Sequence, residues 1–266
     1  MKIGFKSDIH LDFWLPLYGS IDSFIKEILK PQEADVLIIA GDLGHYNDQN
    51  ILLLKKLKNF FKNILVTFGN HDFYLLDKKF NTYKERIEDL KNNINSIEGI
   101  YFLDGDFLEI EGVGFAGAGG WYDFSLAVKH GYPLEKVKLF WHYFMNDAKN
   151  IKPEIDPVNF SMLQKEKLRK SIDKADIVFT HVPPLYINCY GKPVLDSFYS
   201  FYGYDLFKDN IKYWIFGHCH KPMDFYEEHI RFLSSPLGYP HIRTGKFEID
   251  YLNKTSKNKI SKEFSL

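Results

Sequence analysis

Two hydrophobic periodicities alternate along the first hundred residues, and this alternation restricts the fold more than any other feature of the sequence. Three short, continuous apolar runs are typical of strands buried on both faces: 2–8, 35–42 and 63–72. Three segments that alternate with them have helical spacing: 20–30, 50–61 and 82–97. Ser20 is a candidate N-cap for the first helix. This βαβαβ order predicts a parallel sheet covered by helices.

The remainder of the sequence combines further strands with two aromatic segments. Short strand-like runs with Gly-rich turns follow residue 100. Four later segments have regular periodicity: helices at 134–144 and 156–174, and strands at 175–181 and 212–218. No internal repeat and no long linker is visible in the sequence. We therefore expect one domain over 1–266, with loop or helix insertions at 121–160 and 185–210 and a mobile tail at 252–266.

Composition and charge argue against several classes of protein. Thirty-four Lys+Arg against 35 Asp+Glu give a net charge of −1, so no overall field favours nucleic acid or a membrane surface. The apolar runs are too short to span a bilayer, and the N-terminus has no signal-peptide core. Cys189 and Cys219 do not make a disulfide framework, so a reducing compartment is the default. We expect a cytoplasmic protein with no membrane partner.

Polar side chains of one chemical kind follow the predicted strands. They are Asp8 and His10, Asp42, Asn70, His71 and Asp72, His181, and His218 and His220. Loops at the carboxyl ends of strands in an open α/β sheet converge on one crevice, so these residues can meet there. Carboxylate, imidazole and amide groups suit Mn, Fe or Zn and do not suit a Cys-type structural zinc site. So many ligands favour two ions that share a bridging carboxylate.

Each fragment also has a purely structural interpretation. Asp and His after a strand often form turns or caps, "GD" is common in loops, and "GNHD" can make a turn on its own. The segment "GHCH" at 217–220 is the most specific, because alternate residues of an extended segment project the same way. His218 and His220 can then face one site while Cys219 points elsewhere. The fragments gain weight together, since all of them occupy the same kind of position.

The fragments "DIH" at 8–10, "GD" at 41–42, "GNHD" at 69–72, His181 and "GHCH" at 217–220 together resemble the signature of the calcineurin-like metallophosphoesterases. The resemblance spans most of the chain and is specific to the superfamily. It implies an α/β fold, a four-layer α/β/β/α sandwich in which two mixed sheets lie between helices. It also implies that the metal ions bind at the strand ends.

The resemblance carries over to individual ligand positions. It assigns one divalent ion to Asp8, His10, Asp42 and His220, and the second to Asn70, His181 and His218, with Asp42 as the bridge. The ligands accept Mn, Fe or Zn, and Mn is favoured. Two such ions, about 3.5–4 Å apart, generate a bridging hydroxide near neutral pH and neutralise charge on the phosphoryl oxygens. Cys219 is expected to play no part.

The same resemblance makes His71 the residue that protonates the leaving group, a role worth roughly 10²–10⁴-fold in rate. Protein Ser/Thr phosphatases resemble "GD-x-x-D-R-G", whereas this chain reads "GDLGH" at 41–45. The missing Arg argues against a phosphoprotein phosphatase. The double-strand-break repair nucleases of the superfamily also have a His at the position of His45. His45 is therefore a second catalytic candidate, which assists His71, contacts substrate or simply lies in a surface loop.

We expect an enzyme that hydrolyses a phosphate mono- or diester, with a small molecule or a nucleotide as substrate. A nuclease is the first alternative, but the basic stretch at 165–170 and the Lys-rich tail are weak support for a nucleic-acid partner. An inactive protein-binding scaffold is the second alternative, and the complete ligand set counts against it. Asp12 and Asp72 are candidates for orienting ligands or for caps and turns. The aromatic residues at 121–122 and 199–204 either wall a substrate cleft or pack locally.

Overall fold

Two β-sheets packed face to face form the centre of the fold. The computed structural model of the chain describes residues 1–241, 246–247 and 263–265. The strands of the first sheet are β1 (Lys2–Lys6), β2 (Ala34–Ala40), β3 (Phe61–Thr67), β4 (Ile100–Phe102) and β13 (Glu263–Ser265). Their order is β13-β1-β2-β3-β4, in which β1 to β4 are parallel and β13 is antiparallel to β1.

The second sheet continues the chain after β4. Its strands are β5 (Asp106–Ile110), β6 (Val113–Gly117), β7 (Ile177–Phe179), β8 (Tyr213–Phe216), β9 (Met223–Glu227) and β10 (Ile230–Ser234). Their order is β5-β6-β7-β8-β10-β9, with a parallel centre and antiparallel edges. A short antiparallel pair follows, β11 (Pro240–His241) and β12 (Lys246–Phe247).

Helices cover the outer faces of the sheets. Their bounds are α1 (Leu11–Tyr18), α2 (Ile21–Phe24, continued by a π-turn at Ile25–Leu29), α3 (Asn47–Leu57), α4 (Tyr83–Asn95), α5 (Ser125–Lys129), α6 (Leu134–Phe144), α7 (Asn146–Asn150), α8 (Pro157–Ser171) and α9 (Pro193–Asp196). Among the residues described, no helix is both long and apolar enough to cross a membrane.

Strand β2 shows why its sequence is continuously apolar. Val36, Ile38 and Ala40 face the second sheet and pack in one cluster with residues such as Phe179 of β7. Leu37 and Ile39 of β2 face outward, into the apolar cluster that includes the buried side of α3. A strand buried on both faces needs apolar side chains at every position. The same inner cluster holds the two sheets together.

The α/β fold of two mixed sheets between helices, predicted from the sequence, is confirmed by this topology. The Ser20 hydroxyl caps α2 as expected, accepting the Ser23 N–H at 3.1 Å. The helix predicted over 50–61 ends earlier, at Leu57, because Phe61 already begins β3. The predicted organisation as one domain stays a prediction. The tail predicted over 252–266 lies outside the described residues, apart from β13.

Candidate metal centre

Loops that follow the parallel strands bring the predicted site residues to the same end of both sheets. The first sheet contributes Asp8, His10, Asp42, His45, Asn70 and His71, and the second contributes His181, His218 and His220. All of them are buried except His220, whose side chain is 15% exposed. The site therefore lies between the sheets, at the carboxyl ends of their central strands.

Three groups of side chains place their ligand atoms within 4.8 Å of one another. The groups are Asp8, His10 and His220; His10, Asp42 and His71; and Asp8, Asp42 and His181. Asp42 Oδ2 lies 3.6 Å from His10 Nε2 and 3.4 Å from His181 Nε2. This carboxylate oxygen therefore sits between imidazoles from the two sheets, where a bridging ligand is needed.

Asn70 and His218 lie outside those three groups but face the same site. Asn70 Oδ1 is 3.1 Å from His181 Nε2, while His181 Nδ1 is 2.9 Å from the Ala40 carbonyl. A carbonyl only accepts, so it fixes the proton of His181 on Nδ1 and leaves the Nε2 lone pair for a ligand role. His218 Nε2 lies 2.9 Å from the Phe198 carbonyl, so only Nδ1 of His218 is left to coordinate an ion.

Left-handed backbone conformation is concentrated at the predicted ligands. Among the non-glycine residues of the described chain with positive φ, five are predicted ligands: Asp8 (51°), His10 (47°), Asp42 (57°), His218 (67°) and His220 (49°). This region of φ is uncommon for residues with a Cβ and costs roughly 1–2 kcal/mol each. Such strain clusters at functional sites, where the surrounding structure holds it in place.

Glycines in the motifs allow the ligand loops to approach one another. A Cβ on Gly69 would lie 2.1 Å from Asp42 Oδ1, and a Cβ on Gly217 would lie 2.6 Å from Asp8 Oδ2. Real Cβ atoms do not make contacts this short. Glycine at these two positions is therefore required for the carboxylates of the neighbouring strands to occupy their places.

The charges of the site favour a bound cation. Burial, together with the nearby charges of Asp72 and Asp8, raises the pKa of Asp42 well above its usual value. Burial and the neighbouring imidazoles lower the pKa of His10 in the same cavity. Carboxylates that repel one another and imidazoles that stay neutral are the donor set of a divalent-metal site. The residues present therefore fit the metal ions that the sequence predicts.

A chain of hydrogen-bonding groups runs from α1 to His71. Asp12 Oδ2 lies 2.7 Å from His45 Nδ1, and His45 Nε2 lies 2.9 Å from His71 Nδ1. The Tyr239 hydroxyl is 3.1 Å from His71 Nε2. Asp12 also accepts the His45 backbone N–H at 3.0 Å. His45 is thus buried and held between Asp12 and His71, rather than lying in a surface loop.

The loops that carry His45 and His71 are joined by one buried arginine. Arg86 of α4 donates from Nη1 to the carbonyls of His71 and Tyr74, each at 2.9 Å, and from Nη2 to the Gly44 carbonyl at 2.7 Å. Asp72 ties the same region together, because its Oδ2 accepts the backbone N–H groups of Asp42 and Gly69. Asp72 therefore supports the loops rather than facing the ligands.

The expectation for the cysteine residues needs correction, whereas one of the two interpretations of the aromatic residues at 121–122 is borne out. Cys189 and Cys219 form a disulfide, with 6.0 Å between their Cα atoms, whereas no disulfide is predicted from the sequence. Cys219 therefore ties the ligand loop after β8 to the second insertion. Trp121 and Tyr122, considered as cleft walls, are buried side chains of the core. Tyr199 does line the cleft.

The cleft over these residues has a volume of about 240 Å³. Its lining residues are Asp42, Asn70, His71, Tyr74, Phe144, Met145, Asn146, Tyr190, Tyr199, His218, His220 and Tyr239. Tyr239 had no signal in the sequence, because it follows β10 and meets the site only through the fold. Two backbone hydrogen bonds just before it hold this segment against the site: the Leu237 N–H donates to the Ser7 carbonyl, and the Gly238 N–H donates to the Asp8 carbonyl.

The family model for calcineurin-like phosphoesterases matches residues 1–222. The chain belongs to this family. As a member of it, the protein is a hydrolase of phosphate esters, and the resemblance seen in the sequence is confirmed.

Three known proteins are similar to this chain in sequence or in structure. Uncharacterized protein L509 of Acanthamoeba polyphaga mimivirus is 26% identical over 261 residues, which cover 89% of this chain and 91% of the viral protein. The crystal structure of phosphopantetheinyl hydrolase from Mycobacterium tuberculosis aligns with a TM-score of 0.73 at 18% identity, over 90% of each chain. A putative 5′-nucleotidase from Staphylococcus aureus aligns with a TM-score of 0.44 at 16% identity, over 90% of this chain and 49% of its own.

Proposed function

We propose that this phosphoesterase binds two divalent metal ions between its sheets and hydrolyses a small phosphate ester, with His71 protonating the leaving group. The observation that carries the proposal is the chain Asp12–His45–His71, which ends at the ligand groups. An imidazole that is buried, oriented and open to the cleft is what a general acid needs.

The metal assignment is the one that the family resemblance implies. One ion is assigned to Asp8, His10, Asp42 and His220, and the other to Asp42, Asn70, His181 and His218; the proximity of Asp8, His10 and His220 and the 3.1 Å between Asn70 Oδ1 and His181 Nε2 support it. When bound, such ions acidify a water for attack and neutralise charge on the phosphoryl oxygens. Manganese as the native metal and a cytoplasmic location stay predictions from the sequence.

The proton of His71 can be placed by following the hydrogen bonds. Asp12 only accepts, so His45 carries its proton on Nδ1 and presents a bare Nε2 to His71. Neutral His71 then carries its proton on Nδ1, and a second proton enters at Nε2, on the cleft side near Tyr239. His71 Nε2 is therefore the atom that delivers a proton to the leaving oxygen.

The protonation of His71 depends on substrate. Burial first, and then the charges of His45, His220 and the other imidazoles, lower the pKa of His71 in the metal-free protein. The negative charge of a phosphate ester next to the ring acts in the opposite direction and favours the protonated form of His71.

A small ester fits the cleft better than a polynucleotide does. Among the described residues that line the cleft there is no Lys or Arg. Nucleic-acid binding depends on basic side chains that contact successive phosphates. A volume of about 240 Å³ also suits a compact substrate. The nuclease alternative is therefore not favoured.

The proposal is tested by removing metal with a chelator, restoring Mn²⁺, and comparing hydrolysis of p-nitrophenyl phosphate, bis-p-nitrophenyl phosphate and alkyl analogues. We expect Mn²⁺-dependent turnover that is lost in Asp42→Asn, and the preferred aryl ester separates monoesterase from diesterase. His71→Ala should lose about 10²–10⁴-fold with an alkyl ester. It should lose much less with an aryl ester, because p-nitrophenolate leaves readily without a proton.

The matched control is His229→Ala, which changes an exposed histidine whose Nε2 lies 3.0 Å from the Lys208 carbonyl, and it should leave turnover unchanged. Turnover that survives chelation, or an equal loss in His71→Ala with both kinds of ester, would contradict the proposal.

A further inference from the structure

The first insertion contributes a buried acid to the metal centre. Asp147 lies on α7, within the insertion predicted at 121–160. Its side chain is buried, at 1% exposure, although its own helix is only five residues long. A buried carboxylate is costly unless donors surround it, so its partners indicate its purpose.

Three donors converge on the Asp147 carboxylate. Asn70 Nδ2 donates to Oδ1 at 2.8 Å, the Tyr74 hydroxyl donates to the same oxygen, and the Tyr122 hydroxyl donates to Oδ2. Trp141 of α6 in turn donates from Nε1 to the Tyr122 oxygen. Burial and the charge of Asp147 raise the pKa of both tyrosines, so their hydroxyls stay protonated donors.

These contacts determine which way the Asn70 amide faces. The two ends of an amide differ only in that the oxygen accepts and the nitrogen donates. Because the Asp147 oxygens act as acceptors, Asn70 must present its nitrogen to them. Its oxygen then faces the opposite direction, and it lies 3.1 Å from the proposed ligand atom His181 Nε2.

We propose that Asp147 is a positioning residue, which holds the Asn70 amide with its oxygen toward the second metal ion. This inference rests on the proposed function, since it requires that ion. An amide free to rotate would present its nitrogen, which cannot coordinate a cation, for part of the time.

The test is a set of Mn²⁺ titrations followed by calorimetry and by electron paramagnetic resonance. In Asp147→Asn we expect the affinity for the second ion to fall about 10- to 100-fold. At two equivalents of Mn²⁺ the spin-coupled signal of the wild type should give way to the six-line spectrum of isolated ions. Asp176→Asn is the matched control, because Asp176 is a half-buried acceptor of the Gly114 N–H and of Lys212, away from the cleft.

A second pair of variants separates positioning from a general structural role. In Asn70→Asp the side chain has two equivalent oxygens, so its orientation no longer matters. Adding Asp147→Asn to that background should not lower the affinity for the second ion, whereas a structural role would lower it in both backgrounds. This double variant keeps one amide and one carboxylate in the pair. It can therefore be used to test the role of Asp147 even if Asp147→Asn alone does not fold.

The outcomes distinguish the two proposals. A wild type that fails to bind two ions overturns the dinuclear function, and this inference with it. A wild type that binds two ions while folded Asp147→Asn binds both with unchanged affinity overturns only the role of Asp147. A fall in affinity of equal size in both backgrounds likewise overturns it.

Discussion

Several residues of the candidate metal centre have backbone conformations and protonation states that are unfavourable for the same residues in an unfolded chain. Asp8 and four other predicted ligands have left-handed backbone, and the imidazole of His218 is buried beside His181. Burial first, and then the His181 charge, lowers the pKa of His218 to about 4 from 6.5. These residues therefore cost folding free energy, and the imidazoles that stay neutral keep their lone pairs available for a metal ion.

The lowered pKa of His218 predicts a pH dependence for the stability of the metal-free protein. The unfolded chain binds the His218 proton more readily than the folded chain does. The stability that comes from keeping His218 neutral is therefore fully present above about pH 6.5 and is lost as the pH decreases toward 4. It amounts to roughly 3 kcal/mol of unfolding free energy. Urea unfolding in the presence of chelator should show that the unfolding free energy of His218→Asn falls less at acid pH than that of the wild type. Asparagine is chosen because it tolerates the left-handed backbone at this position.

His229→Asn, on an exposed histidine, is the control for that series and should follow the wild type. Wild-type and His218→Asn curves that stay parallel between pH 7 and pH 4 would show that the buried imidazole is protonated as easily as in the unfolded chain.

Elements and their connections place the ligands, and the second insertion is attached directly to one of them. The disulfide joins Cys189, just before α9, to Cys219, between the proposed ligands His218 and His220. Tyr190 and Tyr199 lie on the same insertion and line the cleft. The bond therefore fixes one wall of the cleft relative to the metal centre.

This connection predicts a stability difference at the level of the element. The two cysteines are 30 residues apart, and closing a loop of that length restricts the unfolded chain by about 3–4 kcal/mol. Cys189→Ser should lose this amount in urea unfolding without reductant. Dithiothreitol should impose the same loss on the wild type and none on the variant. A wild type whose unfolding is insensitive to reductant would argue against the pairing.

The positions of helices and strands were predictable where a hydrophobic pattern extends over enough residues. Contacts between distant elements were not predictable. The strand ends that carry Asp8, Asp42 and Asn70 follow from buried apolar runs and the convergence of parallel strands. Helix α1 was missed because it has only eight residues and contains Pro16, and Asp12 was consequently left with several roles. Asp147 and Tyr239 reach the site through packing across 77 and 168 residues, a relation that one sequence does not record.

The whole molecule is organised as two sheets whose shared end is completed by the predicted metal ions. Asp8, Asp42 and Asn70 come from the first sheet, and His181, His218 and His220 come from the second. Ions bound here link the two halves of the structure in addition to the apolar cluster between the sheets. Metal binding and resistance to unfolding should therefore rise together.

Titrating Mn²⁺ into chelator-treated protein should raise its melting temperature, with the logarithm of the free-ion concentration once that concentration exceeds the dissociation constant. At a free-ion concentration of 100 times the dissociation constant, each site adds about 2.7 kcal/mol to the unfolding free energy. Differential scanning calorimetry measures the effect, and Asp42→Asn should show much less of it. A melting temperature that does not respond to high metal concentrations would contradict the binding of these ions to the folded protein.

The spread of the ligands along the chain, from Asp8 to His220, has a consequence for how the enzyme is made. A ribosome that has synthesised only strands β1 to β4 has produced three of the four ligands proposed for one ion and two of the four proposed for the other. Both proposed sites can therefore be completed only after synthesis has passed His220, in the pool of ions that the cell then offers. Since such ligands accept several metals, protein purified from different hosts or growth media should carry different ions. The metal content of such preparations will then reflect which ions the cell supplied rather than which ion the enzyme binds most tightly.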